Sequence, residues 1–207
     1  MQLRTKNLAD FAQEKAISSP NDVVVYLEGG EHIRFGSIFE EAMALASSLS
    51  KLGLQAGDVI SFQLPNWRET VAIDLAAVWL GLIINPVIPI YRDRELAFIL
   101  ADSRSRCLFI PGVYRGHNFP EMIDRLLPQL PNLDHVISVR QGPTADSPSR
   151  YEDLIQPTGC SLPVKQPTDM EAVKVVMYTS GTTGRAKAVK HSHRSLARAI
   201  DNGIDGW

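Results

Sequence analysis

The stretch AVKVVMYTSGTTGRAK, residues 172–187, joins an apolar run to a loop of small hydroxylated residues. Ala172 to Met177 reads as a buried strand, and from Thr179 to Gly184 every side chain is a hydroxyl or a hydrogen. Such a loop can turn its backbone N–H groups inward as an anion nest, with Gly181 and Gly184 letting phosphates approach the main chain. The hydroxyls of Thr179, Ser180, Thr182 and Thr183 add donors that bring no competing negative charge, and Lys187 supplies a mobile point charge. Together these are the parts of a nucleotide triphosphate grip, a clamp with no general base in it. A polar surface hairpin draws on the same residue types; the apolar strand before the loop and the lysine near its end favour the phosphate reading. The loop is not the P-loop G-x-x-x-x-G-K-[ST], since no Gly-Lys-Ser/Thr occurs, and no G-x-G-x-x-G follows a strand.

Working outward, the chain alternates short apolar runs with helical stretches from Asp58 onward, the signature of βα units and a parallel sheet. VISFQL (59–64), LIIN (82–85), CLFI (107–110) and HVISV (135–139) read as strands. Helices are expected from Asn66, capped with Glu69, to about Leu80, from Asp93 to about Asp102, and over Phe119 to Leu127. Right-handed crossovers would wind these into an α/β fold, a doubly wound and mostly parallel sheet with flanking helices. Upstream, VVVYL and HIRF flank Glu28-Gly29-Gly30 as a hairpin. Ser37 and Glu40 form an S-x-x-E capping box for a helix carrying Ile38, Ala42, Leu45, Leu49 and Leu52 on one face, closed by Gly53. Residues 141–150, QGPTADSPSR, lack periodicity and read as a surface loop or a seam between layers. Tyr151 to Ile155 is briefly helical, and ARAIDNGIDGW at the far end reads as the first turns of another helix.

The 207 residues are 44% hydrophobic and 21% charged, an ordinary globular composition able to bury a core without disulfides or metals. The 21 basic and 23 acidic residues nearly cancel, which argues against nucleic acid or an anionic membrane surface as partner. Cys107 and Cys160 are far apart and form neither a disulfide framework nor a zinc knuckle. The amino end lacks an apolar leader core, so a cytoplasmic location is expected. Val71 to Ile90 is long enough to span a bilayer but holds Asp74, Asn85, Pro86 and Pro89; a buried helix followed by a strand, punctuated at Gly81, explains it without a transmembrane segment. His191 and His193, spaced i, i+2, would share a face on a strand, yet no third ligand lies near them in sequence, and no metal site is assigned. Asp74 reads as a hydrogen-bonded core polar group.

The order of residues from Tyr178 to Lys187 closely resembles the [YF]-T-S-G-[ST]-T-G-x-P-K-G loop of the AMP-forming adenylating superfamily, which contains acyl-CoA synthetases, luciferases and peptide-synthetase adenylation domains. LASSLSKLGLQAGDVISFQLPNWRE and AVWLGLIINPVIPIYRDRELAFIL are similar to upstream segments of that family, and YLEGGEHIRF with NPVIPIYRDREL looks most like acid-CoA ligases of the cyclohexanecarboxylate or short-to-medium-chain type. Ala186 stands where the family carries Pro and Ala188 where it carries Gly, which frees φ at residue 186. The resemblance implies ATP, Mg²⁺ and CoA as cofactor and co-substrates, and a small-molecule carboxylic acid as partner. It also implies that Thr179, Ser180, Gly181, Thr182, Thr183, Gly184 and Lys187 bind the β- and γ-phosphates. The family's adenine, ribose and lysine motifs and its C-terminal lid domain are not found, so residues 1–207 are expected to be an incomplete N-terminal adenylating domain without catalytic residues of its own. A missing C-terminal portion or a partner chain would supply them; the alternative reading is a non-catalytic nucleotide-binding module or a structural fragment of a split or truncated gene.

Overall fold

The computed structural model describes residues 7–27, 30, 32–141, 149–156, 163–179 and 186–205. In chain order the elements are α1 (Leu8–Ser18), β1 (Val23–Tyr26), β2 (His32–Arg34), α2 (Phe35–Lys51), β3 (Val59–Phe62), α3 (Arg68–Leu80), β4 (Ile83–Pro86), α4 (Asp93–Ser103) and β5 (Cys107–Pro111). There follow β6 (Val113–Tyr114), β7 (His117–Asn118), α5 (Phe119–Leu126), β8 (His135–Val139), β9 (Ser149–Arg150), α6 (Tyr151–Leu154), β10 (Val173–Thr179), β11 (Lys187–Ser192) and α7 (His193–Asp205).

The central sheet runs β11-β10-β4-β3-β5-β8-β9, parallel throughout except for the antiparallel β10–β11 hairpin. From β3 the chain steps outward to β4 through α3, then returns past β3 to β5 through α4 and continues to β8 through α5. Because right-twisted strands accept only right-handed crossovers, reversing direction moves the connecting helices to the other face. The packing follows that rule. Ala42, Leu45 and Leu49 of α2 and Ile73 and Ala76 of α3 pack with Ala12 of α1 against Ile60, Phe109 and Ile137 on one face. Leu96 and Ile99 of α4 and Phe119, Met122 and Ile123 of α5 pack against Leu108 and Ile110 on the other. Every residue of β5 is buried, as expected of a strand covered on both faces. Each large apolar side chain so buried contributes roughly 1.5–3 kcal/mol.

The expected strands and the helices α3, α4 and α5 appear within a residue or two of their reading, while α7 begins at His193, four residues before the expected start at Ala197. α3 is buried on nearly all sides because Ala72, Ala76 and Ala77 let α2 and the sheet approach closely. It ends at Gly81, whose φ of 69° places it in the left-handed region, and a Cβ there would meet the Ala56 Cβ at 3.1 Å.

Two expected caps are corrected. α2 begins at Phe35, so Ser37 already lies in its first turn and its hydroxyl donates to the Arg34 carbonyl at 3.0 Å. No capping box forms because tertiary carbonyls take the first amides: Phe35 N–H donates to Asp22 O at 3.0 Å and Gly36 N–H to Pro20 O at 2.9 Å. The N-cap of α3 is Trp67, not Asn66, and makes no side-chain cap; the Glu69 carboxylate is turned toward Arg140 instead. Of residues 141–150, 142–148 lie outside the described residues, while Ser149–Arg150 pair with β8 as an edge strand. α1 and the β6–β7 hairpin were not anticipated, and neither was the continuation of the sheet into β11.

Candidate phosphate-binding site

Thr179 is the last residue of β10 and Lys187 the first of β11, and the two are direct cross-strand partners. Residues opposite one another in an antiparallel pair present their side chains to the same face, so the hydroxyl and the ammonium close the mouth of the loop side by side. Both are exposed. Ser180, Gly181, Thr182, Thr183 and Gly184 lie outside the described residues, as does Arg185. Ala186, which stands where the resembled family carries Pro, is half-buried and packs against the second core, the one that contains Val176 and Tyr178.

Tyr178, next to Thr179, is 8% exposed. Its ring meets Phe98 edge-on at 6.2 Å, and its hydroxyl donates to Asp102 Oδ2 at 2.6 Å. Burial, followed by the hydrogen bond and negative charge of Asp102, pushes the phenol pKa up and keeps the hydroxyl protonated.

β10 is parallel to β4, β3 and β5, so Thr179 emerges at the same end of the sheet as the carboxyl ends of those strands, where ligands of open α/β sheets bind. At the reversal of strand order between β3 and β5 lies a crevice of about 260 Å³ lined by Asn66, Ile90, Arg92, Tyr114, Arg115 and Phe119 among others. Arg92 Nη1 donates to Pro89 O at 2.8 Å and Tyr91 O at 2.9 Å and lies 5.8 Å over the Phe119 ring. Arg115 lies 5.4 Å over Tyr114, Tyr114 meets Trp67 edge-on at 5.7 Å, and Arg140 stacks 4.4 Å over Trp67. Arg140 is neutralised by bidentate bonds to Glu69 at 2.8 and 3.0 Å. Neither Arg92 nor Arg115 is in an ion pair among the described residues, so the crevice presents two guanidiniums able to receive an anion. Sequence reading missed this feature; the one local signal is the turn at Arg115-Gly116, which both residues enter at positive φ.

Other titratable groups are structural. Asp74 accepts from Lys174 Nζ at 2.6 Å. His193, 8% exposed, shares a recess of about 150 Å³ with that pair. Desolvation, then the charge of Lys174, hold its imidazole pKa below the usual value. His191 lies on β11 and His193 opens α7, so the strand-face spacing imagined for the two histidines does not exist. Burial pushes the Cys107 thiol pKa well up and leaves it unreactive.

A profile of the AMP-binding enzyme family matches residues 12–205. The chain belongs to that family. It is 29% identical over 190 residues to a medium-chain fatty-acid–CoA ligase of Escherichia coli, covering 92% of this chain and 33% of that protein. It is 31% identical over 175 residues to a sulfoacetate–CoA ligase of Cupriavidus necator, covering 82% of this chain and 31% of that one. Among solved structures, acetoacetyl-CoA synthetase of Streptomyces lividans superposes with a TM-score of 0.81 at 25% identity, over 94% of this chain and 31% of that one. The anthranilate CoA ligase AuaEII, in complex with anthranoyl-AMP, superposes with a TM-score of 0.76 at 24% identity, over 91% of this chain and 35% of that one.

The chain thus spans about a third of the length of the curated relatives it matches. In this member of the AMP-binding enzyme family the sheet and both helical layers are those of adenylating enzymes, and the loop roots stand where the parallel strands end. No helix among the described residues is long and apolar enough to cross a membrane.

Proposed function

We propose that this chain is the N-terminal part of an ATP-dependent acid-CoA ligase, which activates a carboxylic acid as acyl-AMP before thioester formation with CoA. The observation that carries the reading is the pairing of Thr179 with Lys187 at the carboxyl end of β10, which puts a hydroxyl and a cation at the mouth of the loop. In the reaction the substrate carboxylate attacks the α-phosphate of ATP, the bond to the bridging oxygen breaks, and pyrophosphate leaves with the added charge. Donors that follow that charge lower the barrier. Thr179, Ser180, Gly181, Thr182, Thr183, Gly184 and Lys187 are the proposed holders of the β- and γ-phosphates, and they act by positioning and charge alone.

Mg²⁺ fits such a site as a passenger on the phosphate oxygens. The Thr179 hydroxyl offers hard oxygen, and no group of three His, Cys, Asp or Glu among the described residues forms a protein cage. When bound, the ion neutralises the leaving pyrophosphate. The acceptor thiol of CoA and the acid substrate are proposed from kinship, and a cytoplasmic setting from the supply of ATP and CoA there.

With a third of the relatives' length, the chain by itself is proposed to grip polyphosphate without completing adenylation, the remaining motifs coming from further polypeptide. Mg·ATP titration tests the grip: Lys187→Ala should weaken affinity roughly tenfold or more, as expected for losing a charge-assisted contact. Unchanged affinity would rule out the clamp. Carboxylate-dependent pyrophosphate exchange by the chain alone would rule out the division of labour.

A further inference from the structure

The upper part of β10 is poorly supported by its own ladder. β3 and β4 are in register at four residue pairs, whereas β10 meets β4 at the single pair Val175↔Ile84. Beyond Val175 the strand is paired only with β11, an edge strand whose residues Lys187 to Lys190 are exposed. Past Val175, therefore, the backbone hydrogen bonding of β10 comes from one side alone. Yet Thr179, at that very end, is the root from which the phosphate-binding residues spring.

A side chain takes the place of the missing ladder. Tyr178 lies under α4, edge-on to Phe98, and passes a proton donor to Asp102 one turn further along the helix. At 2.6 Å this is a short hydrogen bond from a hydroxyl to a carboxylate oxygen. Asp102 is otherwise solvent-facing and is in no ion pair among the described residues, and α4 is closed by Arg104, not by this carboxylate. Side chains alternate along a strand, so fixing Tyr178 toward α4 fixes the height and facing of Thr179, and through the hairpin register those of Lys187.

We infer that Asp102 is a positioning residue for phosphate binding, acting through the Tyr178 hydroxyl to hold the Thr179–Lys187 pair in place. The inference rests on the proposed phosphate-binding role of that pair. It makes a prediction of sign. Asp102 carries a formal negative charge, so a purely electrostatic role would have its removal tighten polyphosphate binding; a positioning role has its removal weaken binding.

The test is calorimetric titration of the whole chain with Mg·ATP and with magnesium tripolyphosphate, accompanied by thermal melts. Tyr178→Phe and Asp102→Ala should each weaken both probes by about five- to tenfold, the effect of one hydrogen bond to a charged group. The two together should weaken them no further than either alone, since they remove the same bond. Asp102→Asn, which keeps an acceptor and loses the charge, should recover most of the affinity, and all variants should melt within a few degrees of the parent chain. If Lys187→Ala weakens binding while Tyr178→Phe and Asp102→Ala bind as the parent does, or tighter, the positioning role is wrong and the phosphate-binding reading stands. If Asp102→Asn is as impaired as Asp102→Ala, the hydrogen bond is not the cause and the inference fails. If the parent chain binds neither probe, the phosphate reading itself falls and takes the inference with it.

Discussion

His193 shows how much a single side chain owes to distant parts of the chain. It opens α7 with its backbone N–H donating to Ala172 O at 3.2 Å, and its ring faces the Lys174–Asp74 pair. Burial and Lys174 disfavour the imidazolium, while Asp74 and Asp169 oppose them less strongly. The folded pKa therefore lies below the ordinary 6.5, and the unfolded chain takes up its proton first as pH falls. The stability this histidine contributes is present above pH 6.5 and is lost as pH falls through the folded value. Urea midpoints should fall below that pH, and His193→Gln should flatten part of the decline. His117, whose pKa is likewise lowered, by burial and by Arg92, adds to the same decline. A variant with the slope of the parent chain would show that His193 titrates normally. At this scale the sequence discloses that Asp74, in an apolar helix, needs a partner. It cannot disclose that the partner is Lys174, a hundred positions away, because nothing local encodes that meeting.

Among elements, α2 was legible because its apolar face repeats every three to four residues, whereas α1, 11 residues long, was not read; β5 and β8 were legible because continuous apolar runs of strand length have few other uses. Ends were less legible. An S-x-x-E pattern at Ser37 is a cap only if the amides of the first turn lack other acceptors, and here Pro20 and Asp22 supply them. Asn118 is a working cap: its Oδ1 accepts from Glu121 N–H at 3.2 Å at the start of α5. Asn118→Ala should accordingly cost about 1 kcal/mol in denaturant unfolding, and Ser37→Ala should be close to neutral. Equal losses at the two sites would restore the capping box. Two-residue strands such as β6, β7 and β9 are too short for any alternation to register, and β11 carries the residues of a polar surface stretch because it is an exposed edge.

For the molecule as a whole, one sheet separates two cores, and its central strands contribute to both: in β5, Phe109 faces α2 and α3 while Leu108 faces α4 and α5. Removing packing on either face should therefore weaken the same cooperative unit. Leu108→Ala and Phe109→Ala are each expected to lower stability by about 2–5 kcal/mol, with one unfolding transition and an unchanged denaturant slope in both. Two separated transitions would mean that the layers fold independently. What the sequence by itself determined is whatever depends on neighbours along the chain: the βα alternation, hence the doubly wound α/β class, and the hydroxyl-rich loop with Lys187, hence the AMP-binding family. What only the tertiary structure decided is whatever depends on which strands lie side by side. It paired Thr179 with Lys187, opened the crevice between the ends of β3 and β5 and anchored Tyr178 on Asp102. Those contacts arise from the order of strands in the sheet, and that order is set by burying two faces at once, a constraint on the whole chain that no local stretch can express.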